Sequence, residues 1–599
     1  MKKLFFLLFV VMAIAMHSHA TVIKPDKLLD GKYMMHDADK RGGLANSYYY
    51  TTEVYGVTPG EKLTIRSEGN ENASSMVMFA GWYSSIEPSL ETFIEPALLL
   101  EGDLPLRTQQ ANGIYTITVP EGVSALAFCV MKEAFFVVTH PGEPLYYVPS
   151  ELLSGTLPVM YITTADSAWI TSKENYLQGS YYLDPNGVEG VEAIGSVNDQ
   201  LPLQIKGRGN ASWRERKKPY RIKLNKKQPL LGLKKNKHFC LMAHFEDQNA
   251  YQRDEMGFTL SKLMGLDWTP EQKPIELVIN GDYRGLYWIA EKIRVDEDRV
   301  NIIEQDDEET DSELITGGWL LEIDNYMEDG QIYVDEGNGT TISFTPHSPE
   351  VLSANQREYI TDLLNTINEH IYTSNKNDNS WEDYIDIDEL VKFYVLQEIL
   401  DNCESFSGSC FMHKERGDDT KLRFGPVWDF GSVASHWRAD SYDYFIYEEV
   451  PHYVTNHWIE EIAKFPHFQR KVRELWHDVY PGIVDQMKQH CLDYVDYITP
   501  AIEADYERWY GEASTNTSYK KRRIWQILAQ KWEFLNAEWK NPIPTCISTI
   551  DGSQESLVAS IIYYDITGHV IKDYDVSHGV VIKVTKYHNG NTQVTKIMK

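Results

Sequence analysis

The spacing of apolar residues divides the chain into three stretches. From residue 21 to about 147 short β-prone runs recur. Ser47-Tyr48-Tyr49-Tyr50-Thr51-Thr52-Glu53-Val54 is one, and Gly113-Ile114-Tyr115-Thr116-Ile117-Thr118-Val119 is another. Turn pairs such as Pro59-Gly60 and Glu121-Gly122 separate them, which predicts a β-sandwich. From 150 to about 540 the pattern is mixed. Val159-Met160-Tyr161-Ile162-Thr163, Leu203-Gln204-Ile205-Lys206 and Tyr220-Arg221-Ile222-Lys223-Leu224 predict strands. Ile275 to Ile279 and Leu286 to Ala290 flank Asn280-Gly281 and predict a hairpin. Helical spacing then takes over. Asp388 is the expected N-cap of a helix over Leu390 to Leu400, and long helices are expected from about Trp458 to Trp539. The acidic run Glu304 to Glu313 reads as a solvated loop. Residues 546–599 return to β runs around a Gly568 turn.

The N-terminus follows another rule. Lys2-Lys3, an apolar run from Leu4 to Met16, and small residues at Ser18 and Ala20 make the pattern of a secretory signal peptide over residues 1–20. The run is shorter than the roughly 20 residues that span a bilayer, and no later run reaches 18 apolar residues. The expected product is therefore a soluble, secreted chain acting in the periplasm, at the cell surface or outside the cell, without a transmembrane segment.

Composition narrows the partners. The formal net charge is -31 across 599 residues, a surface that repels nucleic acid. Six cysteines permit disulfides, Cys403 and Cys410 being the close pair, but no CxxC or zinc-spaced His cluster occurs. Aromatics of the first stretch, Trp82 and Tyr83 among them, either pack a sandwich core or stack on a glycan.

Three segments of the middle stretch carry candidate chemistry. Lys206-Gly207-Arg208-Gly209-Asn210-Ala211-Ser212-Trp213 leaves a strand, turns on two glycines, and returns through Lys217-Lys218-Pro219. Glycines let backbone N–H groups approach a phosphate, and the lysines add charge, though the ending of a P-loop is missing. Gln397 to Ser409 crowds carboxylates and amides at a helix end. Gly425-Pro426-Val427-Trp428-Asp429-Phe430-Gly431 holds Asp429 between aromatics, where a carboxylate needs a cation, a cap or a salt bridge.

In combination these segments, with Arg253-Asp254 opening a helix that ends near Met264-Gly265, and Val278 to Gly285 followed by Glu291-Lys292-Ile293, resemble the CotH (spore coat protein H) family of atypical secreted kinases. The resemblance covers roughly residues 155–435. It implies a multidomain protein whose α+β, protein-kinase-like two-lobed core over 150–540 lies between the sandwich (21–147) and a small C-terminal β module. The implied activity is transfer of the γ-phosphoryl of ATP to Ser of a protein, the chain itself among the candidates, with Mg2+ or Mn2+. Arg208, Gly209, Asn210 and Ser212 would bind nucleotide, Lys218 or Lys223 would pair with the phosphates, and Glu291 would lie near the adenine. Asp429 and Asn402 would hold the metal, and Glu404 would be the base. The family's Asn-x-Asp reads Asn402-Cys403-Glu404 here, and the Asn expected a few residues on reads Ser409. A Cys403–Cys410 disulfide would brace this loop. The C-terminal Asp565-Ile566-Thr567-Gly568, Gly579 to Lys583 and Lys596 to Lys599 resemble type IX secretion sorting domains. Two alternatives stand beside the kinase: a non-catalytic kinase-fold surface protein binding a glycan or protein, and a glycan-degrading enzyme using Asp429 and Glu404.

Overall fold

The computed structural model describes residues 51–598 apart from 69–76, 88–91, 98–112, 131–134, 144–145, 147–148, 246, 248–249, 327–328, 435–441, 449–454, 511–516, 541–557, 565–569, 572–579 and 588–591. The signal-peptide segment, Cys546, Asp565 to Gly568 and Gly579 lie outside the described residues.

Alternation in the first stretch becomes seven strands: β1 (Thr51–Gly56), β2 (Lys62–Glu68), β3 (Val77–Tyr83), β4 (Phe93–Pro96), β5 (Gly113–Thr118), β6 (Ala125–Val130) and β7 (Phe135–Thr139). They form a four-stranded sheet β1-β6-β3-β4 and a three-stranded sheet β5-β2-β7. Leu63, Ile65, Trp82, Ile117, Leu126 and Val138 belong to one shared core cluster. Trp82 and Tyr83 are buried, so these two rings pack inward and offer no face to a sugar.

The next seven strands close on themselves. They are β8 (Val159–Thr164), β9 (Leu177–Asp184), β10 (Leu201–Gly207), β11 (Tyr220–Gln228), β12 (Asn236–Met242), β13 (Gln272–Ile279) and β14 (Asp282–Glu291). Their order is β10-β11-β12-β14-β13-β8-β9, a closed barrel with a single parallel pair, β8 with β13. Inward positions Leu203, Ile205, Ile222, Leu224, Phe239, Leu241, Ile275, Leu277 and Ile289 fill it. The β13–β14 hairpin turns on Asn280 and Gly281, both at positive φ, as its Asn-Gly demands.

Helix α1 (Arg253–Met264) interrupts the barrel between β12 and β13. A second sheet follows, from β15 (Trp319–Ile323), β16 (Ile332–Asp335), β17 (Thr341–Ser348), β18 (Cys410–Lys414) and β19 (Arg423–Phe424), in the order β16-β17-β15-β18-β19. It packs with helices α2 (Ala354–Ile371), α3 (Ile387–Leu400), α4 (Pro466–Val479) and α6 (Thr517–Trp539) around the largest core cluster. The acidic run 304–313 is mostly exposed loop, as expected. Four strands close the chain: β20 (Val558–Tyr564), β21 (Val570–Ile571), β22 (Val580–Tyr587) and β23 (Thr592–Met598).

Helix α5 (Gly482–Tyr510) joins the helices to the barrel. Its Val495, Ile498, Ala501 and Ile502 pack on Leu286 and Trp288 of β14. Asp505 pairs with the buried Lys217 at 2.9 Å, and also accepts from Tyr251 Oη (2.7 Å) and Leu286 N (2.8 Å). Lys217 Nζ donates to Leu286 O at 2.6 Å. Gly285, at φ 94°, lies against the Asp505 carboxylate, where a Cβ would collide.

Helix α3 is capped two residues earlier than the sequence suggests. Its N-cap is Asp386, whose carboxylate accepts from Asp388 N and Glu389 N, while Asp388 is inside the first turn. Asp386→Ala should therefore cost about 1 kcal/mol in urea melts, and Asp388→Ala, which loses only an exposed pair with Lys471, well under half of that. Equal losses would contradict this cap.

Candidate active site

Three motif segments meet where the barrel faces the second sheet. The glycine turn is built by sterics. Gly207 packs against the Trp213 ring and Gly209, at φ 81°, against Ser212, so a Cβ fits at neither. Lys218 braces the turn by donating to Trp213 O at 2.8 Å, and Lys173 reaches Asn210 Oδ1 at 2.8 Å. Arg208 leaves the turn, donates to Met242 Sδ, and lies 5.6 Å from the Trp428 ring centroid. Lys217, between these motifs, belongs to the α5 anchor instead.

Asp429 sits at φ 60°, a left-handed conformation uncommon for a non-glycine residue. Its side chain is exposed to solvent although packed protein surrounds it. Phe430 N, the next amide, donates to Asp254 Oδ1 at 3.3 Å, and Gly257 of α1 leaves room for the Phe430 ring. The surrounding protein and the Asp254 carboxylate push the Asp429 carboxyl up to about 6; Glu404 adds to this, while the Gly431 amide and Arg208 oppose it. Burial likewise raises Asp254, against the pull of His244, 3.5 Å away.

The loop after α3 supplies the facing groups. Asp401 closes the helix at φ 51° and pairs with Lys531 of α6 at 3.5 Å; Glu398 pairs with the same amine at 2.9 Å. The Asn402 amide donates to Gln397 Oε1 (3.0 Å) and Asp429 O (3.4 Å), while its buried Oδ1 has no partner. Glu404 accepts from the Ser432 hydroxyl. Asn402 and Val433 form an isolated bridge that zips this loop to the segment after Asp429. Tyr326 also feels this site: burial raises its hydroxyl, Arg214 lowers it, and Asp429 and Glu404 raise it.

The structure thus brings Arg208, Asn402, Glu404 and Asp429 together. Lys218 is occupied by the turn it braces. Lys223 is exposed on the outside of the barrel opposite Ile222 and Leu224, and Glu291, buried at the end of β14, accepts from Glu271 N at 3.1 Å. The expected Cys403–Cys410 disulfide is absent. Both are buried thiols outside any disulfide, and the loop is braced by the Lys531 pairs instead. Asp254 was named in the sequence only as a helix opener. Its position at the first turn of α1 was visible there, but its approach to Phe430 depends on the tertiary fold. Among the described residues no three His, Cys, Asp or Glu side chains cluster as a metal site, so a cation here would need Asn402 Oδ1 and ligand oxygens.

Residues 205–533 match the CotH kinase protein family. No curated protein matches the chain.

Raised carboxyls bind protons that the unfolded chain releases near 3.8, so the ligand-free fold loses stability as pH rises from about 4 to about 6, and the penalty is complete above that. Asp429→Asn removes it and suits the positive φ. Its melting temperature should exceed that of the parent at pH 7.5, with the gap closing by about pH 4. A gap independent of pH would refute the raised Asp429 carboxyl.

Proposed function

Since the chain belongs to the CotH kinase protein family, we propose that it transfers the γ-phosphoryl of ATP to a serine hydroxyl of a protein, itself or a partner, outside the cytoplasm. The observation that carries this reading is the meeting of Arg208, from the glycine turn, with Asp429, Asn402 and Glu404. The donors are all hard oxygens, and an unpartnered Asn402 Oδ1 beside a carboxylate pair in mutual repulsion fits magnesium or manganese. Held by Asp429 and Asn402, such an ion would neutralise charge on the phosphate oxygens.

The chain's own groups have separable tasks. Arg208 offsets phosphate charge near Asp429. The acceptor oxygen bonds to the γ-phosphorus as the bond to the β-bridging oxygen breaks, and Glu404 takes the hydroxyl proton. Glu is one methylene longer than the Asp usual in the family, and the Ser432 hydroxyl holds that longer carboxylate in one place. The barrel and the helical part would be the two lobes of the kinase-like core, and the two N-terminal sheets a sandwich. The N-terminal leader and the C-terminal strands would direct export and sorting to the cell surface or medium.

A kinase-fold surface protein that binds a protein or glycan is the second reading. One observation favours it: Glu404 Oε2 is already engaged by Ser432, and Ser409 stands where the family has Asn.

Asp429→Asn should abolish thermal stabilisation by magnesium and ATP. Glu404→Gln should keep that stabilisation while phosphate transfer from labelled ATP falls by about 100-fold or more. Stabilisation that survives in Asp429→Asn rejects the metal role. A Glu404→Asp variant that gains transfer over an inert parent identifies a decayed catalyst.

A further inference from the structure

The outer face of the barrel carries more cations than the two carboxylates near them, Glu174 and Glu350, can offset. Ile205, Ile222, Phe239 and Ile289 point inward, so their neighbours point out. Register places Lys206, Arg221, Cys240 and Ala290 side by side across β10, β11, β12 and β14. Lys223 and His238 form the next row, and Lys292 extends β14 beside it. On the other side Arg208 continues the Lys206 side of β10 toward Met242 and Trp428. Rows two residues apart are about 7 Å apart and neighbouring strands about 4.8 Å apart, so Lys292, two rows and three strands from Arg208, lies roughly 20 Å from it at the backbone, a gap that two long side chains narrow toward the span of a nucleoside triphosphate.

Among the described residues Lys206, Arg221, Lys223 and Lys292 form no ion pair. Arg221 Nε and His238 Nδ1 are buried without partners. Burial and the charges of Arg294, Arg221, Lys292 and Lys223 push His238 down to about 3, so its imidazole stays neutral among four cations. Burial and Arg221 lower Lys292 to about 8, with Glu350 as an opposing carboxylate. In a molecule of net charge -31, an excess of cations without an ion pair at one face marks a place kept for an anion.

We infer that Arg221 and Lys292, on the outer face of β11 and beyond the end of β14, hold the phosphate tail of the nucleotide and lead it to Arg208 and Asp429. The inference rests on the phosphotransferase reading for the identity of the anion, not for its existence. Lys206 and Lys223 line the same track, and Lys218 serves the glycine turn.

The full-length protein is titrated with inorganic tripolyphosphate, ATP and adenosine, followed by melting temperature. Arg221→Gln and Lys292→Gln should each weaken tripolyphosphate and ATP at least tenfold and leave adenosine unchanged, while Lys226→Gln, at the far end of β11, changes none of them. Both variants should melt no lower than the parent without ligand, because each removes a cation from mutual repulsion; that readout separates lost binding from lost folding. Tripolyphosphate binding that ignores both substitutions, or that falls equally in Lys226→Gln, overturns the inference. If ATP stabilises and transfers phosphate but does not depend on Arg221 or Lys292, the inference fails and the kinase reading stands. If tripolyphosphate depends on both residues while no transfer occurs, the anion site stands and the kinase reading fails.

Discussion

The arrangement depends on one buried charge pair, Lys217 with Asp505. Burial pushes the Lys217 ammonium down, and Asp505 opposes this by favouring its charged form. Two dehydrated charges repay their cost only with further hydrogen bonds. Tyr251, the Leu286 amide and the Leu286 carbonyl supply them. Through these bonds a residue of the glycine turn's return strand, the β14 backbone and helix α5 share one fixed point. Removing either partner would strand the other charge in the core, a loss on the order of 3–5 kcal/mol. Because Gly285 must also lie against Asp505, the hairpin, the helix and the turn cannot shift independently.

The cleft inverts that logic. Asp254, Asp429 and Glu404 face one another with Arg208 as the nearby cation, and two of the three carboxyls are held above their ordinary range. Along the outer face of the barrel cations crowd beside it, with Glu174 and Glu350 as the nearby carboxylates. Each half of the site is electrostatically unfavourable alone. A ligand that brought phosphates to one half and a divalent ion to the other would relieve both. The fold holds this arrangement because the Lys217 and Lys531 anchors lie outside it.

Much of this was legible in the chain. Period-2 alternation identified β8, β10, β11 and the β13–β14 hairpin, and the Asn280-Gly281 turn is where its chemistry requires. Barrel closure was not legible, since it rests on β9 meeting β10 and β8 lying parallel to β13, pairings that local pattern does not encode. The N-cap was misplaced by two because Asp386 and Asp388 both suit a cap, and the burial of Ile385 and Ile387 around it is a tertiary fact. Three lysines looked alike around Pro219. Burial separates them: Lys217 is an anchor, Lys218 a brace, Lys223 an outward charge. Asp429 stood out in sequence because its neighbours are bulky, whereas Arg221 and Lys292 looked like ordinary strand charges until their rows aligned.

The pairing of Lys531 with Glu398 and Asp401 has a consequence in time. Lys531 lies in α6, near the end of the matched domain, while the loop it braces follows α3. A chain that has emerged only as far as Asp429 already carries every motif residue. It lacks the amine that sets Asp401 and therefore the bearing of Asn402. The loop takes its shape only when α6 docks, and Trp532 then bonds Ile399 O to lock it. On the phosphotransferase reading, competence would arrive only with α6, and a shorter chain would be silent although its motif residues are all present.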